Sequence, residues 1–286
     1  MFICMQIKDY KQLTAYNKIR FRLGRYSPSI LQVTEENFQY CLVEVVSRDG
    51  QIDFEQIYNI SPRLGKFVVM PRGVEPPDTS KVHRHRAARL LEQIGLAAAV
   101  SACDTSQIPL ARRSIGLIDE EGIYSSFAEK MIKHLPTVKV YTQNPGRYED
   151  VREQIMDIYG APLLVDDRPD FLRGCDLVYA PASIINTPPT TAFGGPPIFL
   201  ANPEQAAQYQ SGVYAIGSLK VPEEISDLVP RNIDPVDFLD AAYLYCGYKE
   251  LENIQINEIL CRGHAFPFKV LVQAVEKKYT QSVRAR

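Results

Sequence analysis

Residues 114–142, SIGLIDEEGIYSSFAEKMIKHLPTVKVYT, read in succession as strand, loop, helix and strand. The runs SIGLI (114–118) and VKVYT (138–142) are short and mostly apolar. Strands of that kind belong to a sheet covered on both faces. Between them Ser126 and Glu129 have the S-x-x-E spacing of a capping box, which predicts a helix over 126–135. The alternation continues with apolar runs at 162–166, 176–180, 197–200 and 213–217 and helical stretches at 147–159 and 203–210. Strands separated by amphipathic helices imply a parallel sheet, and right-handed crossovers make it doubly wound. The expected fold class is therefore α/β.

Outside this block the signals are more mixed. QYCLVEVV (39–46) and IDFEQIY (52–58) flank Arg48-Asp49-Gly50, which predicts a hairpin, and KFVVM (66–70) predicts a further strand. Asp78 or Thr79 is expected to cap a helix that runs to Leu96, with Gly95 marking its end. Asp234-Pro235 and Asp237 open a helix through Tyr245 that Gly247 stops, and a last helix is expected over 267–279. The expected layout is a smaller α+β domain over 1–100, the parallel domain over 101–225, and a C-terminal helical segment over 226–286 that packs back.

Composition limits the function. The chain has 286 residues, 45% of them hydrophobic and 23% charged, with 32 Lys and Arg against 34 Asp and Glu. That balance supplies no overall field for nucleic acid, so none is expected as a partner. No apolar run approaches the ~18 residues of a membrane span, so no membrane is expected either. The six cysteines are dispersed without a C-x-x-C pair, and Lys8 and Lys11 follow the first apolar run instead of preceding it. Both features predict a cytoplasmic protein with reduced thiols. Cys261-Arg-Gly-His264 has C-x-x-H spacing but no second pair, so no metal site is expected. No G-x-S-x-G elbow occurs, and no catalytic residue stands out.

The loop after the first parallel strand decides how a nucleotide would be met. Gly122, Tyr124 and Ser125 would border a phosphate there, while Thr142, Asn144 and Arg147 follow the second strand. This layout resembles Rossmann-type NAD(P)-binding domains, and Arg147 makes it similar to NADP-dependent dehydrogenases, including the shikimate dehydrogenase type. The resemblance covers about 112–217. It implies a substrate domain first, a cofactor domain second, returning C-terminal helices, and Arg147 on a 2′-phosphate. The chain departs from the pattern at the glycine motif. Only Gly122 lies in the loop, and Asp119, Glu120 and Glu121 stand where phosphate oxygens would sit. Two like charges 4 Å apart near a surface repel by roughly 4 kcal/mol. NADP is therefore not expected in the standard pose, and the cofactor stays open. Arg147 reads equally well as the start of a surface helix, paired with Glu149 or Asp150. With Asp166 and Asp167 the loop acids could gather around Mg²⁺, although a solvated acidic rim is the expected arrangement.

Two further stretches are candidates for ligand binding. In KVHRHRAAR (81–89) a helix would place Lys81, His85 and Arg89 on one face that could grip an anion, and His83, His85, Arg86 and Arg89 are candidates for ligand binding, as is Asp119. PASIINTPPTTAFGGPP (181–197) reads as a ligand-covering loop, with the hydroxyls of Thr187 and Thr190 and a hinge at Gly194. The leading expectation is a degenerate Rossmann-like domain that binds a small anionic ligand in an interdomain cleft. The alternatives are an NADP-dependent oxidoreductase with an atypical phosphate loop, and a non-catalytic structural protein that forms a homo-oligomer through its Tyr-rich helix at 238–248.

Overall fold

The computed structural model describes residues 1–34, 39–181, 199–201, 213–247 and 254–284. The first elements are β1 (Phe2–Asp9), α1 (Ala15–Arg22), β2 (Ser29–Thr34), β3 (Gln39–Arg48), β4 (Gln51–Ile52), α2 (Glu55–Ile60), β5 (Phe67–Val69) and β6 (His83–Arg84). Next come α3 (Arg89–Asp104), β7 (Ser114–Ile118), α4 (Ser125–Ile132), β8 (Thr137–Tyr141), α5 (Glu149–Tyr159), β9 (Leu163–Asp166) and β10 (Leu177–Tyr179). After these follow β11 (Phe199–Ala201), β12 (Val213–Lys220), α6 (Pro235–Cys246), β13 (Gln255–Cys261), β14 (His264–Pro267) and α7 (Lys269–Arg284). The chain divides into two compact units, one of residues 1–91 and 221–254, the other of 92–220 and 255–286.

The second unit holds an eight-stranded sheet in the order β14-β13-β12-β11-β10-β7-β8-β9. From β12 to β9 every neighbouring pair is parallel. Counted from β7, this six-strand block has the order 3-2-1-4-5-6, that of the doubly wound Rossmann fold. Successive side chains of β7 and β10 enter opposite cores. Ile115, Leu117, Leu177 and Tyr179 belong to one, and Ile118, Val178 and Ala180 to the other. The strands are apolar along their length because neither face meets water. β13 and β14 extend the sheet by antiparallel pairing. Their two-residue turn has Arg262 at φ 53° and Gly263 at φ 75°, the mirror-image turn that tight hairpins favour. Cys261 and His264 are its closing pair, which accounts for their spacing.

The first unit has its own sheet, ordered β2-β3-β1-β5-β6, with β4 paired to β3. The pairs β3-β1, β1-β5 and β5-β6 are parallel, while β2 and β4 lie antiparallel to β3. Ile3, Met5, Val43, Val45, Ile57, Val68, Met70 and Val82 form its core. Phe238 of α6 is fully buried against Phe2 and Tyr40, with ring centroids 5.3 and 5.2 Å apart. The expected C-terminal segment is thus shared out. Its helix α6 packs with β1 in the first unit, whereas β13, β14 and α7 complete the second.

Four local expectations are corrected. Of the strand predicted at 52–58 only Ile52 pairs, and the chain turns into α2 instead. Asp53 starts that turn by accepting hydrogen bonds from the Glu55 amide at 3.1 Å and the Gln56 carboxamide at 3.0 Å. The helix expected from 78 or 79 begins at Arg89 and runs on to Asp104. Residues 83 and 84 pair with β5 as a strand, because the acids of α6 draw Arg84 and His85 toward them. Gly95 lies inside α3 and does not end it. A Cβ there would come within 2.6 Å of the Tyr179 hydroxyl, so the glycine serves close approach. Finally, the capping box at Ser126 is replaced, since neither serine caps α4. The 181–197 loop from Ala182 on and the 203–210 helix lie outside the described residues.

Candidate functional site

The carboxyl ends of β7 and β8 gather most of the residues expected to meet a cofactor. Asp119, the first residue after β7, is buried at 2% exposure. Its Oδ1 accepts the Ile123 amide at 2.9 Å, and its Oδ2 accepts the Tyr124 amide at 2.7 Å and the Tyr148 hydroxyl at 2.6 Å. A buried carboxylate is stable only when donors surround it, and three do. Burial first, then the bond to Asp119 and its charge, push the Tyr148 phenol far above its usual range. Tyr148 thus stays protonated and donates.

The loop is also sewn to the one that follows β8. The Glu120 carbonyl accepts the Gln143 amide at 3.1 Å and the Asn144 carboxamide at 3.2 Å, and the Thr142 hydroxyl lies 3.5 Å away. Gly122 adopts φ 72°, and a Cβ on it would meet Arg147 Cδ at 2.9 Å. The alkyl stem of Arg147 therefore lies over the glycine while its guanidinium is exposed. No pair to Glu149 or Asp150 forms, and Arg147 has no partner among the described residues. The structure thus brings Gly122, Tyr124, Thr142, Asn144 and Arg147 together, with Ser125 as the first residue of α4.

These contacts decide the fit of a dinucleotide. In the standard pose its pyrophosphate takes the amides at the start of the first helix. Here the amides of Ile123 and Tyr124, the last two before α4, already go to the inward-turned carboxylate of Asp119, which leaves only the first amides of α4 itself. The residues do not fit the group in that pose. Nor do the acids gather as a cation site: Asp119 points inward, and Asp166 is held by Arg168, with Oδ1 3.0 Å from Nε and Oδ2 3.0 Å from Nη2.

The basic stretch 81–89 belongs to the first unit. Asp240 is fully buried, and its Oδ2 lies 2.8 Å from His85 Nε2 while its Oδ1 accepts the Leu90 amide at 2.6 Å. Arg84 Nη2 lies 3.3 Å from Asp237, and Arg86 Nη2 lies 3.1 Å from Glu75. His83 is exposed beside the Phe67 ring, and Arg89 opens α3. The single anion-gripping face expected of Lys81, His85 and Arg89 is therefore absent. Sequence reasoning missed the acids responsible. Asp234, Asp237 and Asp240 recur every three residues along one side of α6 and meet Arg72, Arg84 and His85 in turn. That spacing was the available signal. Thr187, Thr190 and Gly194 lie outside the described residues.

No family model and no curated protein matches the chain. Among solved structures it is similar to D-lactate dehydrogenase with NAD⁺ from Lactobacillus jensenii, at 11% identity over 70% of each chain and a TM-score of 0.34. Quinate dehydrogenase from Corynebacterium glutamicum, in complex with NAD, matches at 11% identity over 70% of this chain and 79% of that one, TM-score 0.26. A D-isomer specific 2-hydroxyacid dehydrogenase from Lactobacillus delbrueckii ssp. bulgaricus matches at 10% identity over 100% and 99%, TM-score 0.33. Likenesses of this size carry no argument about chemistry. The Rossmann-type layout stands on strand order and direction.

Proposed function

We propose that this protein binds a small anionic ligand and has kept the Rossmann frame without the standard dinucleotide pose. The observation that carries the reading is the carboxylate of Asp119, bonded to the amides of Ile123 and Tyr124. An anion must then be met elsewhere, and unpaired guanidinium groups at Arg147 and Arg231 are available for it. The test is a melting experiment with NAD(H), NADP(H) and small anions. The dinucleotides are expected to leave the midpoint unchanged. A rise of the mass-action size, about 2.7 kcal/mol at a hundredfold excess over Kd, would overturn the reading.

A second reading, an NADP-dependent oxidoreductase with an atypical loop, draws on one specific place. Arg147 lies over Gly122, and α4 opens three residues later at Ser125 with the unpaired first-turn amides of any helix. If NADP binds there, Arg147→Ala weakens NADP and spares NAD. Among the described residues no helix is long and apolar enough to cross a membrane. The six free cysteines support the cytoplasmic placement. Self-association belongs to the proposal as well. Leu244 and Tyr245 at the end of α6 are 43% and 41% exposed, and light scattering reads the oligomeric state.

A further inference from the structure

β5 ends at Val69, level with Cys4 of β1, and the chain turns away through Pro71 and Arg72. β1 runs on to Asp9, so beyond β5 its Gln6 and Ile7 border a notch. A cavity of about 640 Å³ fills it, lined by Gln6, Ile7, Arg72, Val74, Arg231 and Asn232 among others. That volume is in the range of small-molecule sites. The notch also has a telling position. In the order β3-β1-β5 the chain goes to one side of β1 and then to the other, and open parallel sheets bind ligands at the carboxyl ends of their strands where the order reverses.

The polar groups of the cavity are unspent. The side chains of Gln6, Arg231 and Asn232 have no partner among the described residues. Arg72 gives a bond of 2.9 Å to Asp234 through Nη2 alone. The wall around them is held firmly. The Arg72 amide donates to the Asn232 carbonyl at 2.9 Å, Pro71 bridges to Ile233, and Arg84 ties the Pro71 and Val74 carbonyls at 3.1 Å each. Asn232 sits at φ 67°, a left-handed conformation that Asn tolerates, and its carbonyl is thereby aimed at that amide.

We propose that this notch is a binding site for a compact oxyanion, a carboxylate or a phosphate monoester. Arg231 and Arg72 meet the charge, and the carboxamides of Gln6 and Asn232 take the remaining hydrogen bonds. Both guanidinium groups line the cavity and Asp234 is paired with only one of them, so a positive charge is left for the ligand. The inference rests on the anionic-ligand reading for the sign of the charge and goes beyond it in naming the place and the residues.

The test is calorimetric titration of the full chain with inorganic phosphate and with malonate. Saturable binding of either is expected, with Arg231→Ala weakening it about tenfold, the loss of one charge-assisted contact. Gln6→Glu adds a repelling charge and weakens it further, while Arg152→Ala in the second unit leaves it unchanged. Arg231 is exposed and makes no contact to lose, so its variant keeps the wild-type melting point in anion-free buffer. Phosphate bound equally by wild type, Arg231→Ala and Gln6→Glu overturns the site and leaves the broader reading standing. Absence of binding by the wild type overturns both. If phosphate binds and malonate does not, the ligand class narrows to phosphate esters.

Discussion

Asp119 does at the residue scale what a bound anion does elsewhere: it gives the loop amides an acceptor. Removing it as Asp119→Ala strands the amides of Ile123 and Tyr124 and the hydroxyl of Tyr148. Each buried unsatisfied donor costs about 1–3 kcal/mol, so a loss of roughly 3–5 kcal/mol is expected in urea denaturation. Gly95→Ala sets two effects against each other. Alanine improves helix propensity by about 1 kcal/mol, but overpacking costs about 1–3 kcal/mol, and the Tyr179 hydroxyl 2.6 Å away decides for destabilisation. A thermal melt reads the sign. Asp166 is held down to about 2 by hydrogen bonds from the side chain and amide of Arg168. Its folded value lies below the unfolded one, so the pair's contribution is present above the ordinary carboxylate range and is lost as pH falls toward 2. A carbon-detected NMR titration should find Asp166 near 2, and Arg168→Ala should return it toward the ordinary value. The sequence shows three acids in a row at 119–121, but which one turns inward depends on amides four and five residues later and on Tyr148. That information lies in the turn, not in the residue types.

Elements were legible where burial is two-sided. The runs 114–118, 138–142 and 162–166 became β7, β8 and β9 within a residue at each end, because a strand covered on both faces must be apolar along its length. One-sided elements were harder to read. IDFEQIY alternates like a half-buried strand, yet only Ile57 of its helix is buried, and the turn held by Asp53 tips the balance locally. Residues 79–88 form no helix and pair as strand at 83 and 84, since the bonds of Arg84 and His85 to α6 span about 150 residues of chain. A reading based on neighbours could not find them. At this scale Asp240→Ala should be costly. It leaves His85 and the Leu90 amide buried without their acceptor, for a loss of about 3–5 kcal/mol in chemical denaturation.

At the scale of the molecule, the chain passes between its two units three times, after Leu91, Lys220 and Ile254. Neither unit is complete by residue 220. The first lacks α6, whose Phe238 and Leu239 are fully buried, and the second lacks β13 and α7 with the buried Ile259, Leu271 and Val275. A chain cut after Lys220 should therefore be recovered as aggregate, and size-exclusion chromatography of the soluble fraction checks this. The candidate site was legible to the same uneven degree. That Gly122, Thr142, Asn144 and Arg147 come together at one sheet edge was readable because fold position alone puts them there. That Gln6, Arg72 and Arg231 line one notch was not readable, since only folding brings residues so far apart in sequence together.

The packing of Phe238 against Phe2 has a consequence for synthesis. β1 finds β3 within some forty residues and Tyr40 stacks on Phe2 there, yet the edge contact of Phe238 arrives only with α6. The amino group of Met1 bonds the carbonyl of Tyr245, 244 positions downstream. At a translation rate of about 5–20 residues per second, Phe2 waits on the order of ten seconds or more for its partner. In that interval the face of β1 that α6 will cover stays apolar and open, and a holding chaperone would find its target there.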